Sequence, residues 1–444
     1  MSQRAQRFIE AAKKPMPEGT YAVGAGLLIS GVATYGFQIL SFLALDKSAY
    51  AALGGLWVVV FIIAPGFFLP LEQEVGRALA DRRARGVGGG PLVKRAALMG
   101  GLLAIALIIL TFIASQPIIH SLFHGRTALL WCFVIALVCY GFQMITRGTL
   151  AGNGRFGPYG MILAAEGIIR LVPCMLLYAA GVDQPVYYGL CLAIPPALAA
   201  VVALRGQHGL LTPGPDAPWS EMSTRLGFLL TGSVLAQLLS YAAALGVVLL
   251  ANGKAEQARA GDFIIGFFLA RIPILLFQAV QAALLPKLAG LAGAGRREDF
   301  RAALAKLVLI VCGIGVIGIV AGYVLGPWMG HILFGDKFNL SSGDLALLAA
   351  GSGAFILALT LAQALIALLG HARAVVAWLI GLVGFVVVTA LGSALFFRVE
   401  LGYLIGSSLA AIAMGALLMD QMRRVRPDSL DLLVEQIEHE PLEI

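Results

Sequence analysis

Long runs without a charged side chain dominate the chain, and their lengths set the first expectation. Stretches free of Asp, Glu, Lys and Arg that reach 19 residues or more lie at 19–45, 48–71, 96–125, 127–146, 184–204, 226–253, 307–335, 345–372, 374–397 and 401–419. Each can hold a helix that crosses a bilayer, which takes about 20 apolar residues. Two further segments, 158–180 and 262–286, are apolar but interrupted by charge: Glu166 and Arg170 in the first, Arg271 in the second. The pattern therefore predicts an all-α polytopic membrane protein with about 12 transmembrane helices, the fifth and eighth carrying charge in mid-span.

Charge gives these helices a direction. With both termini on the cytoplasmic side, 23 of the 31 Lys and Arg fall in cytoplasmic segments. The external loops hold six (Lys47, Arg126, Lys254, Arg259, Lys337 and Arg398) and two lie in spans. That imbalance over short loops predicts a multi-pass protein of a bacterial inner membrane with cytoplasmic termini. Composition agrees: 59% of residues are hydrophobic, 12% are charged, and mean hydropathy is +0.90. The formal net charge of +7 then reads as loop bias facing anionic membrane lipids, not as a nucleic-acid surface. Cys132, Cys139, Cys174, Cys191 and Cys312 all fall in apolar runs without metal-ligand spacing, so packing is their expected role. The charged N-terminal segment does not resemble a cleaved signal peptide.

The chain also repeats itself. Gly206–Ser223 is the most polar, Pro/Gly-rich interruption and leaves six predicted helices on either side. This divides the chain into a lobe at 1–205, a cytoplasmic linker at 206–224, a lobe at 225–422 and a tail at 423–444. Corresponding features recur in order. Pro65 and Pro273 lie in the second and eighth spans, each leading into an Arg-rich loop. PIIHSLFHGR matches PWMGHILFGDK at Pro117/Pro327 and Gly125/Gly335, and the turn GNGR (Gly152, Arg155) matches GHAR (Gly370, Arg373). Because six is even, the two halves share one orientation. Parallel repeats of this kind place a substrate path in a central cavity between the lobes.

Candidate chemistry is sparse. No hydrolase elbow, phosphate loop or zinc motif is present, so an enzyme is not expected and no cofactor is called for. Glu166 and Arg170 are four residues apart and share a helix face. They form either a structural ion pair or a proton- or substrate-responsive pair in the cavity. Arg271 has no acid within one turn, so it is expected to face the cavity and bind an anionic group, with pairing to Glu166 across helices as the alternative. Glu72, Glu74 and Arg147 lie near the inner ends of the second and fourth helices, where pairing, a cytoplasmic gate or contact with lipid phosphate are open. Gln38 and Gln278 stand for a set of neutral amides, with Gln143, Gln237, Gln281 and Gln363, suited to sugar hydroxyls or to packing between helices.

RIPILLFQAVQAALLPKLAGLAGAGRREDFR, the external GPWMGHILFGDKF, the turn LLGHARA and the earlier TRGTLAGNGRFGPYG resemble the polysaccharide-export branch of the multidrug/oligosaccharidyl-lipid/polysaccharide superfamily. The resemblance implies two six-helix lobes around a cavity that opens alternately to each side. It also implies flipping of polyprenyl-diphosphate-linked oligosaccharides, alongside polysaccharide-assembly proteins and with proton or sodium coupling. Two members of the superfamily fit less well. Lipid II flippases carry two extra helices and several cavity arginines, which this chain does not match. Drug/cation antiporters usually place an acid in the N-terminal lobe, commonly on the first helix, and Thr20–Leu45 has none. An antiporter with Glu166 as titrating group remains the alternative, and a membrane scaffold with a dead cavity the third.

Overall fold

The structure is a computed structural model that describes residues 19–218, 221, 226–274, 277, 297–335 and 338–424. Gln278, Gln281, Pro286, Lys287 and Arg296 lie outside the described residues, as do the segment before Gly19 and the tail after Arg424. The longer helices are α1 (Thr20–Ala44), α2 (Lys47–Ala84), α3 (Gly90–Ile113), α4 (Thr127–Gly152), α5 (Phe156–Ala179) and α6 (Pro185–Leu204) in the first half. The second half holds α7 (Leu226–Ser240), α8 (Ala242–Leu250), α9 (Gly253–Leu269), α10 (Arg297–Val324), α11 (Gly326–Phe334), α12 (Ser342–Ala367), α13 (His371–Leu391) and α14 (Leu395–Arg424). The described residues contain no strand.

Local chemistry explains where several helices begin. The Asp46 carboxylate accepts from the Ala49 amide at 2.8 Å and starts α2. Ser341 and Asp344 cap each other's backbone reciprocally and start α12. Proline occupies the first turn of α3, α6 and α11, where its missing N–H costs nothing. Ten described helices are long and apolar enough to cross a bilayer, and α7 with α8, bent by 63° about Tyr241, makes an eleventh. The expected eighth span, 262–286, begins in α9, and of its later part residues 275–276 and 278–286 lie outside the described set.

Glycines set how closely the helices approach. A Cβ at Gly160 of α5 would fall 2.4 Å from the Ala22 carbonyl oxygen of α1, so those backbones are in contact. Gly381 of α13 and Gly406 of α14 meet in the same way, each excluding a Cβ at the other's carbonyl. In the first half α1 packs on α5, and α2, α3 and α6 pack on α4. In the second half α14 packs on α12 and α13, and α10 packs on α12. The two bundles meet where α2 lies against α7 and α9. The matched Gly125 and Gly335 both adopt left-handed backbone (φ 83° and 64°), which explains glycine at both places. Gly370 has φ −83°, so its match to Gly152 carries no such requirement.

Candidate functional site

A cavity of about 570 Å³ lies between the two bundles. Residues of α1, α2, α4 and α5 line it from one side, and residues of α7, α12, α13 and Arg271 from the other. Gln38, Arg147, Glu166, Arg170 and Arg271 all reach its wall, as do Gln143, Gln237 and Gln363. Five of the six expected site residues are therefore brought to one cavity, and the sixth, Gln278, is among the residues not described.

Glu166 and Arg170 form a direct ion pair on α5. The pair is not left to itself. Gln143 Nε2 donates to Glu166 Oε2 at 2.8 Å, and the Tyr140 hydroxyl donates to Oε1 at 3.3 Å while accepting from Arg170 Nη2 at 3.2 Å. Arg170 Nη1 donates to Thr34 Oγ1 at 3.2 Å, and its guanidinium lies over the Trp57 ring, 5.5 Å from the centroid. Both carboxylate oxygens are hydrogen-bonded and both charges are buried. The arrangement ties α5 to α1, α2 and α4.

Arg147 is held by a second acid. Its Nη2 donates to the Tyr159 hydroxyl at 2.6 Å and lies 3.2 Å from Glu72 Oε1, and the same hydroxyl donates to Glu72 at 2.9 Å. The triad links α2, α4 and α5 at the floor of the cavity. Of the alternatives open for Glu72 and Arg147, the structure shows pairing with each other. Glu74 pairs with Arg77, one turn on.

Among the described residues Arg271 has no acid partner. Its guanidinium donates to the Ser240 carbonyl oxygen and, at 2.9 Å, to Ser240 Oγ. The Tyr241 and Phe267 rings flank it, with centroids 4.3 Å and 5.0 Å away. Two broken helices build this seat. Pro273 cannot donate, and around it the ladder tightens to i→i−3 bonds from Arg271 to Phe268 and from Ile274 to Arg271. The break at Tyr241 exposes the Ser240 carbonyl, which Arg271 takes up. The alternative contact with Glu166 is not made.

Gln38 is half satisfied: its Oε1 accepts from the Tyr50 hydroxyl at 2.9 Å, while its Nε2 is buried without a partner among the described residues. Several residues that complete the site carry no charge and gave no signal in the sequence, among them Thr34, Tyr140, Tyr159, Ser240 and Tyr241. One charged residue was also missed. Glu400 falls between the eleventh and twelfth apolar runs, but the structure places it inside α14 with no exposed surface. Its signal lay in the spacing of Glu400, Tyr403 and Ser407 along one helix face.

No family model matches the sequence. An uncharacterized protein of Mycobacterium tuberculosis is 26% identical over 415 residues, covering 91% of this chain and 92% of its own. An uncharacterized protein of Mycobacterium bovis is 26% identical over 373 residues, covering 79% and 80%. Among solved structures, an inward-facing multidrug resistance MATE family transporter of the MOP superfamily superposes with TM-score 0.67, at 15% identity over 88% of this chain and 96% of its own. An outward-facing structure of a MATE family transporter gives 0.65 at 16% identity, covering 93% and 97%. The bent form of the Vibrio cholerae MATE transporter VcmN gives 0.62 at 15% identity, covering 94% and 98%. The chain thus has the fold of the MATE family transporters of the MOP superfamily, two helical bundles around a central cavity. These likenesses do not single out the polysaccharide-export branch.

Proposed function

We propose that the protein is an alternating-access flippase that carries a polyprenyl-diphosphate-linked oligosaccharide from the cytoplasmic to the outer leaflet for cell-envelope polysaccharide synthesis. Residues 1–205 and 225–422 are then the rocking lobes, joined by the linker at 206–224. The observation that carries the reading is the charge pattern of the cavity. Of its three arginines, Arg170 is paired with Glu166 and Arg147 with Glu72, whereas Arg271 is held by a serine and two rings. Among the described residues the wall is left with one guanidinium that no acid neutralises, and an anion satisfies it best. A guanidinium matches a diphosphate because its planar fork makes paired charge-assisted bonds. The neutral amides and hydroxyls around it suit sugar hydroxyls.

Flipping in proteoliposomes tests this. Arg271→Ala should lower the rate by at least about tenfold, since a hydrogen bond to a charged group contributes about 1.5–3 kcal/mol. Arg271→Lys keeps the charge, loses the fork and should fall between. Parental rates in a well-inserted Arg271→Ala protein would move the anion site elsewhere. The second reading is a cation-coupled drug or metabolite antiporter, favoured by the multidrug transporters among the structural neighbours. It calls for an available acid in the cavity, and Glu166 is fully engaged with Arg170, Tyr140 and Gln143. Drug-driven cation exchange without lipid flipping would decide for it.

A further inference from the structure

Glu400 takes no part in the cavity. It lies in the second turn of α14, is completely buried, and neither carboxylate oxygen has a hydrogen-bond partner among the described residues. Tyr403 and Ser407, three and seven residues on, share its helix face and are buried, and the Ser407 hydroxyl has no hydrogen-bond partner among the described residues. Across the interface, Ser352 of α12 is buried and interacts with the Tyr403 hydroxyl, and Gly351 beside it leaves room only for the Tyr403 ring. Four polar side chains on two packed helices are thus buried at one interface, where the Tyr403 hydroxyl interacts with Ser352 and the Glu400 carboxylate has no hydrogen-bond partner among the described residues.

Among the described residues no base pairs with the carboxylate. From α12 the nearest titratable group is another acid, Asp344. From α9, Arg259 is stacked over the Phe396 ring, 4.4 Å from its centroid. On α14 itself, Arg398 turns back to the Gly392 carbonyl at 3.1 Å. The packed faces of α8 and α13 bring no titratable residue: 242–250 and 374–391 contain none. An isolated ionised carboxylate in such surroundings costs several kcal/mol, and the group takes up a proton instead.

We propose that Glu400 is a proton-binding site: in this conformation it is a neutral carboxylic acid, and it releases its proton when α12 and α14 part and water enters. Ionisation there leads toward the cavity. The Tyr403 ring lies 6.0 Å from Phe267, which in turn lies against the Arg271 guanidinium. Proton release therefore adds a negative charge on the helix that carries Tyr403, at the end of this row of rings, and weakens the hold of Arg271 on an anion. That last consequence rests on the flippase reading; the proton site does not.

The test is infrared spectroscopy of the purified full-length protein in sodium-free lipid bilayers at neutral pH, reading the C=O band of protonated carboxyl groups. Glu400→Gln should remove one carboxyl's intensity from that band. Because an amide is the closest mimic of a neutral acid, Glu400→Gln should also melt at the parental temperature. Glu400→Asp, which keeps an acid, should shift the band without abolishing it. An unchanged band in Glu400→Gln overturns the proposal, and so does loss of the wild-type band on adding sodium, which would make this a sodium site. The measurement needs no lipid-linked substrate, so failed flipping would not count against it.

Discussion

A guanidinium within a bilayer must be paired or hydrated, and the cavity arginines meet that demand in different ways. Arg170 is joined to an acid on its own helix, Arg147 to an acid on a neighbour, and Arg271 to a serine and two aromatic faces. The first arrangement makes a thermodynamic prediction. Removing one member of a buried pair leaves a lone charge and costs about 3–5 kcal/mol, while removing both costs far less. Glu166→Gln and Arg170→Gln should each lower the melting temperature in detergent more than the double substitution does. A double variant as unstable as the summed singles would show that the pair is not the source of the effect. Positions of this kind were legible in the sequence because charge inside an apolar run stands out. Partners were legible only when local: the four-residue spacing of Glu166 and Arg170 announced their contact. Nothing in the chain announced that Ser240, a neutral residue 31 positions away, would hold Arg271.

At the scale of elements, apolar run length located the spanning helices well, and helix breaks were legible only where proline made them. Pro273 marks the turn that presents Arg271. The bend at Tyr241 has no proline or glycine at the break, and the sequence accordingly suggested one span over 226–253. The break lies where Ser240 and Tyr241 both contact Arg271, a tertiary relation that periodicity does not encode. Helix contacts were partly legible, since small residues mark close approach without saying to what. The structure makes the distinction testable. A side chain at Gly160 collides with the α1 backbone, whereas a Cβ at Gly24 has nothing within 4 Å. Gly160→Val should destabilise the protein by about 1–3 kcal/mol or more through overpacking. Gly24→Ala should be neutral or slightly stabilising, because alanine is the better helix former. Equal melting temperatures for the two variants would contradict the close α1–α5 contact.

At the scale of the whole molecule, the sequence anticipated a cavity between two bundles because the halves repeat. It treated the segment between them as a tether. The structure docks it. Arg82, 1% exposed, donates to both carboxylate oxygens of Glu221 at 2.7 Å and 3.0 Å. The same guanidinium reaches the carbonyls of Gly88, Pro215 and Asp216. The Gly90 amide donates to the Thr212 carbonyl at 2.9 Å, and Arg155 reaches the His208 carbonyl. Residues 208–218 and Glu221 are therefore fastened to the same end of the first bundle as the 82–90 and 155 turns. Counted by sequence, Arg82 looked like one more loop cation serving topology; its burial depends on carbonyls more than 130 residues away and could not be read locally. If the charge bias sets orientation, that end is cytoplasmic, and cysteines placed at Arg83, Gly214, Arg297 or Arg373 should resist labelling from outside. Strong labelling at two of them would break the topology. The docking itself makes a separate prediction with a definite pH sign. Hydrogen bonding from Arg82 holds the Glu221 carboxyl below the usual range, so Glu221 binds protons more readily when the segment is released. Its contribution is complete above the ordinary carboxylate range and is lost as pH falls through the lowered value, while Arg82 stays charged throughout. Limited proteolysis reads the release directly. At neutral pH, Arg82→Gln should be cut within 206–224 several-fold faster than the parent, with Glu221→Gln intermediate because the carbonyl contacts persist. The parent should approach the Glu221→Gln rate only on acidification below the ordinary carboxylate range, assayed with an acid-active protease. An Arg82→Gln protein as resistant as the parent would show that the segment is held by its backbone contacts alone.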